Sequence, residues 1–185
     1  MRSLLLILYC FIVAGFPQCT KPKIHYLRPV VTVTPDSREL FLCRINGMSY
    51  SPEALDSASL GGCTYSEVYS GESRWVFQIY ADRHETGCRF FTVGIMLDSI
   101  VLKERTRYVL GTPGKKKNYG WYFRTTECGQ PREEIYTSDD LYGEIFIDRF
   151  DPVRKIVTGT FDFNSKDKNG NIYRVSDGVF DRHFK

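Results

Sequence analysis

The sequence KIVTGTFDFN at residues 155–164 decides the fold, because apolar and polar side chains alternate along it. Val157, Gly159, Phe161 and Phe163 fall on one side of an extended chain, and the threonines and the aspartate fall on the other. Alternation with a period of two residues is typical of a strand that buries one face and exposes the other to water. We therefore predict a half-buried β-strand here.

Turn sequences bound this strand on both sides. The residues DPVR at 151–154 and KNGN at 168–171 are rich in the residue types that reverse the chain. Strands are therefore expected on either side of it, paired in antiparallel fashion. Asp177-Gly178 is interpreted as one further turn, after which a last strand follows.

The same alternation recurs toward the N-terminus. Asn46-Gly47 predicts a type I′ hairpin between the first two strands, because both central residues of that turn need positive φ. Residues 51–62 are left open between one helical turn and a loop. We predict a single all-β domain over 39–185, an antiparallel meander of about ten strands that forms a sandwich or a flattened barrel, since either removes exposed sheet edges. The alternating segments are 41–45, 64–69, 74–81, 91–97, 107–110 and 119–125.

The composition of the chain indicates a folded domain and excludes some partners. Of its 185 residues, 42% are hydrophobic and 15% are aromatic, which is too apolar for a disordered chain. The formal net charge is +3, and charges of both signs are interspersed. This balance predicts no nucleic-acid partner and no strong attraction of the whole chain to a membrane surface.

Residues 1–19 are predicted to be an export signal. Arg2 supplies a positive charge, and residues 4–16 form an apolar run that is shorter than the roughly 20 residues of a spanning helix. Cys19 lies where a bacterial lipoprotein carries its lipidated cysteine, so we expect lipidation at Cys19 and a membrane partner through that anchor. A periplasmic or secreted protein is the alternative. The proline-containing residues 20–38 suit an extended tether.

Four cysteines lie beyond the leader, and an even number in an exported chain favours disulfides. If the strands run up and down, Cys63 and Cys88 fall at the same end of the sheet with one strand between them. We therefore predict a Cys63–Cys88 bridge, which leaves Cys43–Cys128 as the second pair. A buried thiol at Cys43 is the alternative to that second bridge.

Aromatic residues are the one marked excess in this composition. Tyr and Trp are enriched at binding surfaces, because they combine a large apolar area with a polar group. Alternation places about half of them in the core, which is the competing interpretation. Several aromatic residues crowd one strand and could line a groove or a barrel mouth together with two residues from an earlier strand: Tyr119, Trp121, Tyr122 and Phe123, with Trp75 and Tyr80.

No catalytic residue, metal site or cofactor is predicted. Asp167-x-Asn169-x-Asn171 imitates the opening of a calcium loop, but a hairpin turn explains the same residues. No C-x-x-C pair accompanies the scattered histidines, so zinc ligation is not expected. A glycosidase needs two facing carboxylates, whereas the acids of the last third are predicted at turns and on polar strand faces: Asp139, Asp140, Asp148, Asp151 and Asp162.

The end of the chain resembles a family of uncharacterised exported or lipid-anchored β proteins of Bacteroidota-type bacteria. The resemblance rests on GTFDF at 159–163 and DGVFD at 177–181, together with Phe41-x-Cys43 and Asn46-Gly47. It implies a location in a Gram-negative cell envelope, and it carries no activity or functional residues.

These observations together favour a non-enzymatic envelope lipoprotein, expected at the outer membrane, that binds an unknown protein or small-ligand partner or supports a surface assembly. A lipocalin-like carrier of a small apolar ligand is the alternative. An envelope hydrolase is the third hypothesis.

Overall fold

A computed structural model describes residues 39–52, 61–70, 72–85, 88–114 and 117–185, which form eleven strands and, within these ranges, no helix. The predicted signal peptide at 1–19, the lipidation site Cys19 and the tether at 20–38 lie outside the described residues. Among the described residues, no helix could span a bilayer. The strands are β1 (Glu39–Ile45), β2 (Met48–Tyr50), β3 (Gly62–Ser70), β4 (Glu72–Glu85), β5 (Arg89–Asp98), β6 (Thr106–Val109), β7 (Asn118–Thr125), β8 (Glu133–Thr137), β9 (Gly143–Asp151), β10 (Ile156–Lys166) and β11 (Ile172–His183).

All eleven strands belong to one antiparallel sheet, which confirms the predicted all-β class. The order is β2-β1-β11-β10-β8-β7-β5-β4-β3, and β9 and β6 branch from β10. The ladder does not close into a barrel, because β2 and β3 are its two ends. Alternation along β10 is complete: every second side chain from Val157 to Ser165 is buried.

The sheet folds back so that its two ends cover one core. The Tyr50 hydroxyl of β2 lies within hydrogen-bonding distance of the Ala81 carbonyl oxygen (2.9 Å) and the Phe91 carbonyl oxygen (3.2 Å). At the other side, the Lys185 N–H donates to the Cys63 carbonyl (3.2 Å). The inward side chains of both halves form a single hydrophobic cluster that includes Phe41, Phe77, Ile95, Phe161 and Phe180.

The predicted turn at Asp177-Gly178 is wrong, because β11 runs through it as one strand. The β10–β11 register shifts between Phe161 and Phe163, so the extra residues form a β-bulge. Asp177 has φ +54°, the conformation that also makes Asp-Gly common in turns. Gly178 lies so close to Phe161 that a Cβ there would meet both its ring and its carbonyl oxygen. The bulge and the turn therefore share the same sequence signature.

The predicted hairpin at Asn46-Gly47 is confirmed. Asn46 and Gly47 have φ +50° and +83°, and they join β1 to β2. The Asn46 side-chain carbonyl also accepts the Arg174 N–H (2.9 Å), which ties the turn to β11.

The predicted cysteine pairing is wrong, since the structure joins Cys88 to Cys128 with their Cα atoms 5.1 Å apart. The reason is the length of β4. Cys63 is paired with Ile79, and β4 continues for six residues beyond Ile79 before it reaches the turn that holds Cys88. Cys128 follows β7, and β7 pairs directly with β5, so it meets Cys88 at one end of the sheet. Cys43 and Cys63 are buried thiols.

Candidate functional site

The outward side of strands β4, β5, β7 and β8 carries a cluster of aromatic rings. Alternation along β7 puts Tyr119, Trp121 and Phe123 on that side, and β8 adds Tyr136, which is paired with Trp121. Ring centroids lie 5.9 Å apart for Trp121 and Phe123, and 5.4 Å apart for Phe123 and Tyr136. We call this surface the aromatic face, and it consists of Tyr80, Tyr119, Trp121, Phe123 and Tyr136.

Glycines beneath two of these rings let them lie against the sheet. The cross-strand row is Gly62, Tyr80, Gly94, Trp121, which alternates glycine with an aromatic residue. A Cβ on Gly94 would overlap the indole of Trp121, and a Cβ on Gly62 would meet the ring of Tyr80. Trp121 is only 5% exposed, whereas the other four rings are half-buried. Trp121 is therefore the packed floor of the face, and the surrounding rings are its contact surface.

Charged and polar groups border one side of the aromatic face. The Arg132 guanidinium stands 4.3 Å over the Phe123 ring centroid and donates to Glu134 Oε1 (2.7 Å). The Tyr136 hydroxyl donates to Glu134 Oε2 (2.9 Å), and burial together with this bond raises the pKa of Tyr136 to about 12. The Arg132 hydrogen bond lowers the pKa of Glu134. At neutral pH this border thus presents a cation, a carboxylate and a neutral hydroxyl.

A second polar pair, Thr92 and Asp82, lies on the two strands next to Phe123 in the sheet. Thr92 is opposite Phe123 in the β5–β7 register, and its hydroxyl donates to Asp82 Oδ1 (2.8 Å). Burial raises the pKa of Asp82, and the Thr92 hydrogen bond opposes that shift. Hydrogen-bonding groups therefore lie beside the rings on both β4 and β8.

The structure brings together four of the six predicted aromatic residues and separates the other two. Tyr80, Tyr119, Trp121 and Phe123 share the aromatic face. Tyr122 has the opposite parity on β7, and its ring lies in the core, 6.4 Å from Phe91. Trp75 lies on the inner side of β4 at one end of the sheet, where it stacks on Tyr65 (4.7 Å).

Sequence reasoning missed one member of the face, Tyr136. Its place in the face could not be predicted, because it depends on the pairing of β7 with β8, which residue patterns leave undefined. Phe123 shares the period-two parity of Tyr119 and Trp121, so alternation alone puts these three on one side of β7.

Most of the acids considered for a catalytic pair are engaged in local structure. Asp151 is typical: its Oδ1 accepts the N–H groups of Val153 (3.1 Å) and Arg154 (2.9 Å) in the turn after β9. Asp148 is exposed on β9. The remaining acids accept from Thr112 N–H (Asp139), Lys166 Nζ (Asp140) and Asp177 N–H (Asp162). These contacts give most of the carboxylates a structural role.

The calcium-like motif is a hairpin turn in the structure. Asp167 Oδ1 accepts the N–H groups of Asn169 (2.9 Å) and Asn171 (2.8 Å), and Oδ2 accepts from the Asn171 side chain (2.8 Å). These bonds lower the pKa of Asp167. Within the described ranges, no three His, Cys, Asp or Glu side chains are grouped closely enough to hold a metal ion.

We expect Asp167→Ala to lower the melting temperature, because two backbone N–H groups of the turn lose their acceptor. A carboxyl whose pKa is lowered by folding stabilises the fold above its unfolded pKa, and this contribution disappears as the pH falls through the folded pKa. The difference in melting temperature between the two proteins should therefore be constant near neutral pH and should shrink as the pH falls below about 4, the ordinary pKa of an aspartate. Thermal unfolding followed by circular dichroism measures it, and Asp148→Ala is the control. A difference that does not change with pH would contradict the assignment.

Comparison with known proteins adds no relative. No family model matches the chain, and no curated protein or solved structure matches it.

Proposed function

We propose that this chain is a non-enzymatic module of the bacterial cell envelope that binds a glycan through its aromatic face. The observation that carries the proposal is the combination of four half-buried rings with bordering hydroxyl, carboxylate and guanidinium groups on the outward side of a continuous sheet. Sugars present apolar C–H faces that pack on aromatic rings, and hydroxyl groups that need both donors and acceptors. An aromatic surface with a polar border provides both.

The envelope location in this proposal has several supports. The Cys88–Cys128 disulfide is compatible with an extracytoplasmic protein, because such bonds persist in oxidising compartments. The export signal at 1–19 and the lipidation of Cys19 are predictions from sequence, and both favour a location at the outer membrane. The tether at 20–38 would then hold the domain at the membrane surface.

The surface is favoured over the interior as the ligand site. Large side chains from both halves of the sheet fill the interior, among them Phe77, Phe161 and Phe163, which are at most 1% exposed. A lipocalin-like carrier would need that volume for its ligand. The surface-binding hypothesis is therefore preferred to the carrier hypothesis.

We expect Phe123→Ala and Tyr136→Ala each to weaken glycan binding about tenfold or more, because a truncated aromatic contact typically costs about 1–3 kcal/mol. Isothermal titration with soluble oligosaccharides of glucose, xylose and N-acetylglucosamine measures the dissociation constant. The matched control is Tyr142→Ala, since Tyr142 is an exposed tyrosine (56%) away from the face. Equal affinity in all three variants, or no binding of any of these glycans to the wild type, would refute the proposal.

A further inference from the structure

One end of the described fold collects three exposed apolar side chains. Trp75, Val101 and Val153 are 37%, 62% and 91% exposed. The Ile100 N–H donates to the Trp75 carbonyl (3.2 Å), so Val101 follows directly beside Trp75. We call this region the Trp75 end, and it comprises Trp75, the loop 99–105 and the turn 152–155.

Ring contacts and a loop contact join the three parts of the Trp75 end. The Tyr65 ring stacks on the Trp75 ring, with 4.7 Å between their centroids, and it meets the Phe150 ring edge to face at 5.1 Å. Phe150 lies immediately before the turn that carries Val153. The Phe150 N–H donates to Glu104 Oε1 (3.0 Å), which fixes the loop 99–105 against the end of β9. The three apolar side chains thus belong to one end of the sheet.

Basic side chains surround these apolar residues. Lys103, Arg105 and Lys155 are exposed. Lys117 joins them, because its Nζ donates to Ser99 Oγ (3.0 Å). Two of the nearby acids are neutralised by ion pairs: Asp98 with Arg74 (2.6 Å), and Asp151 with Arg149 (3.3 Å) and Arg154 (3.9 Å). Two exposed acids also belong to this region, Glu67 opposite Trp75 and Glu104 in the loop 99–105, and the four basic side chains outnumber them.

The first residue of β1 lies at this same end. Glu39, the first residue of β1, is paired with Arg182 near the end of β11. His183 is paired with Ile156, and Ile156 is paired with Asp151, beside the turn of Val153. Strand β1 therefore begins at the Trp75 end.

We propose that the Trp75 end docks on the surface of a bilayer that contains anionic phospholipids. Trp75, Val101 and Val153 enter the headgroup region, and Lys103, Arg105, Lys117 and Lys155 lie near lipid phosphates. The interspersed charges of the sequence did not predict this surface, because the fold gathers residues that are far apart in the chain. The proposal is independent of glycan binding, since the aromatic face lies on the side of the sheet.

Co-sedimentation with vesicles tests the proposal on the purified chain, with residues 1–38 identical in every variant. The vesicles are phosphatidylcholine alone or phosphatidylcholine with about one quarter phosphatidylglycerol. We expect V101D/V153D to lower the partition coefficient at least tenfold on the anionic vesicles, and K103E/K155E to remove the preference for them. The matched control is M48D/I172D, because Met48 (72%) and Ile172 (54%) are exposed at the opposite end.

Tryptophan fluorescence gives a second readout. The chain has two tryptophans, so Trp121→Phe leaves Trp75 as the reporter. Its emission should shift to shorter wavelength when anionic vesicles are added. Equal partitioning of V101D/V153D and M48D/I172D, or an unshifted Trp75 emission, would overturn the proposal.

Discussion

Phe161→Ala is expected to lower the free energy of unfolding by about 3–5 kcal/mol, the usual cost of removing a fully buried phenylalanine. Phe161 lies at the centre of β10 with no exposed surface. Its ring centroid is 5.1 Å from Phe41, 6.2 Å from Phe163 and 6.3 Å from Phe180. The substitution leaves a cavity between strands β1, β10 and β11. Because a domain of this size has a total stability of about 5–15 kcal/mol, much of that stability would be lost.

Urea unfolding followed by circular dichroism measures this change, with the slope on denaturant concentration as a test of two-state behaviour. Phe146→Ala is the matched control. Phe146 is paired with Thr160 on the outward side of β9 and is half-buried, so it should cost less than half as much. Equal losses for the two variants would mean that Phe161 is not at the centre of the core.

The alternation in residues 155–164 was sufficient to predict the strand and its buried face. A period of two residues has a single physical explanation here, because one side of the strand meets the core and the other meets water. The same pattern could not distinguish a turn from a bulge at Asp177-Gly178. Both features need a residue with positive φ followed by close backbone approach, and Asp-Gly satisfies either.

Parity along β7 puts Tyr119 and Trp121 on one side of the strand, but parity does not define which side is the core. The outward side here holds a buried tryptophan, because Gly94 on the neighbouring strand leaves room for its indole. That arrangement depends on the register between β5 and β7. Trp75 shows the converse case. It has the parity of the buried Phe77, yet it is partly exposed because β4 extends past the edge of the core.

The double variant Cys88→Ala/Cys128→Ala is expected to lose about 2–4 kcal/mol of stability. The bond links residues that are 40 positions apart, so it restricts a long loop of the unfolded chain. It also joins the turn between β4 and β5 to the loop after β7. Urea unfolding with and without reductant measures the effect. The wild type should become less stable in reductant, and the double variant should not respond.

Cys63→Ala is the control that separates this bond from the pairing predicted by sequence. It leaves Cys88–Cys128 intact, so reductant should still destabilise this variant. Non-reducing peptide mapping should find Cys88 linked to Cys128, while Cys43 reacts with alkylating reagents slowly until the chain unfolds. Burial raises the pKa of the Cys43 thiol far above its ordinary value, and the thiolate is the reactive form. A peptide that links Cys63 to Cys88 would contradict the structure, because those residues lie on β3 and beyond the far end of β4.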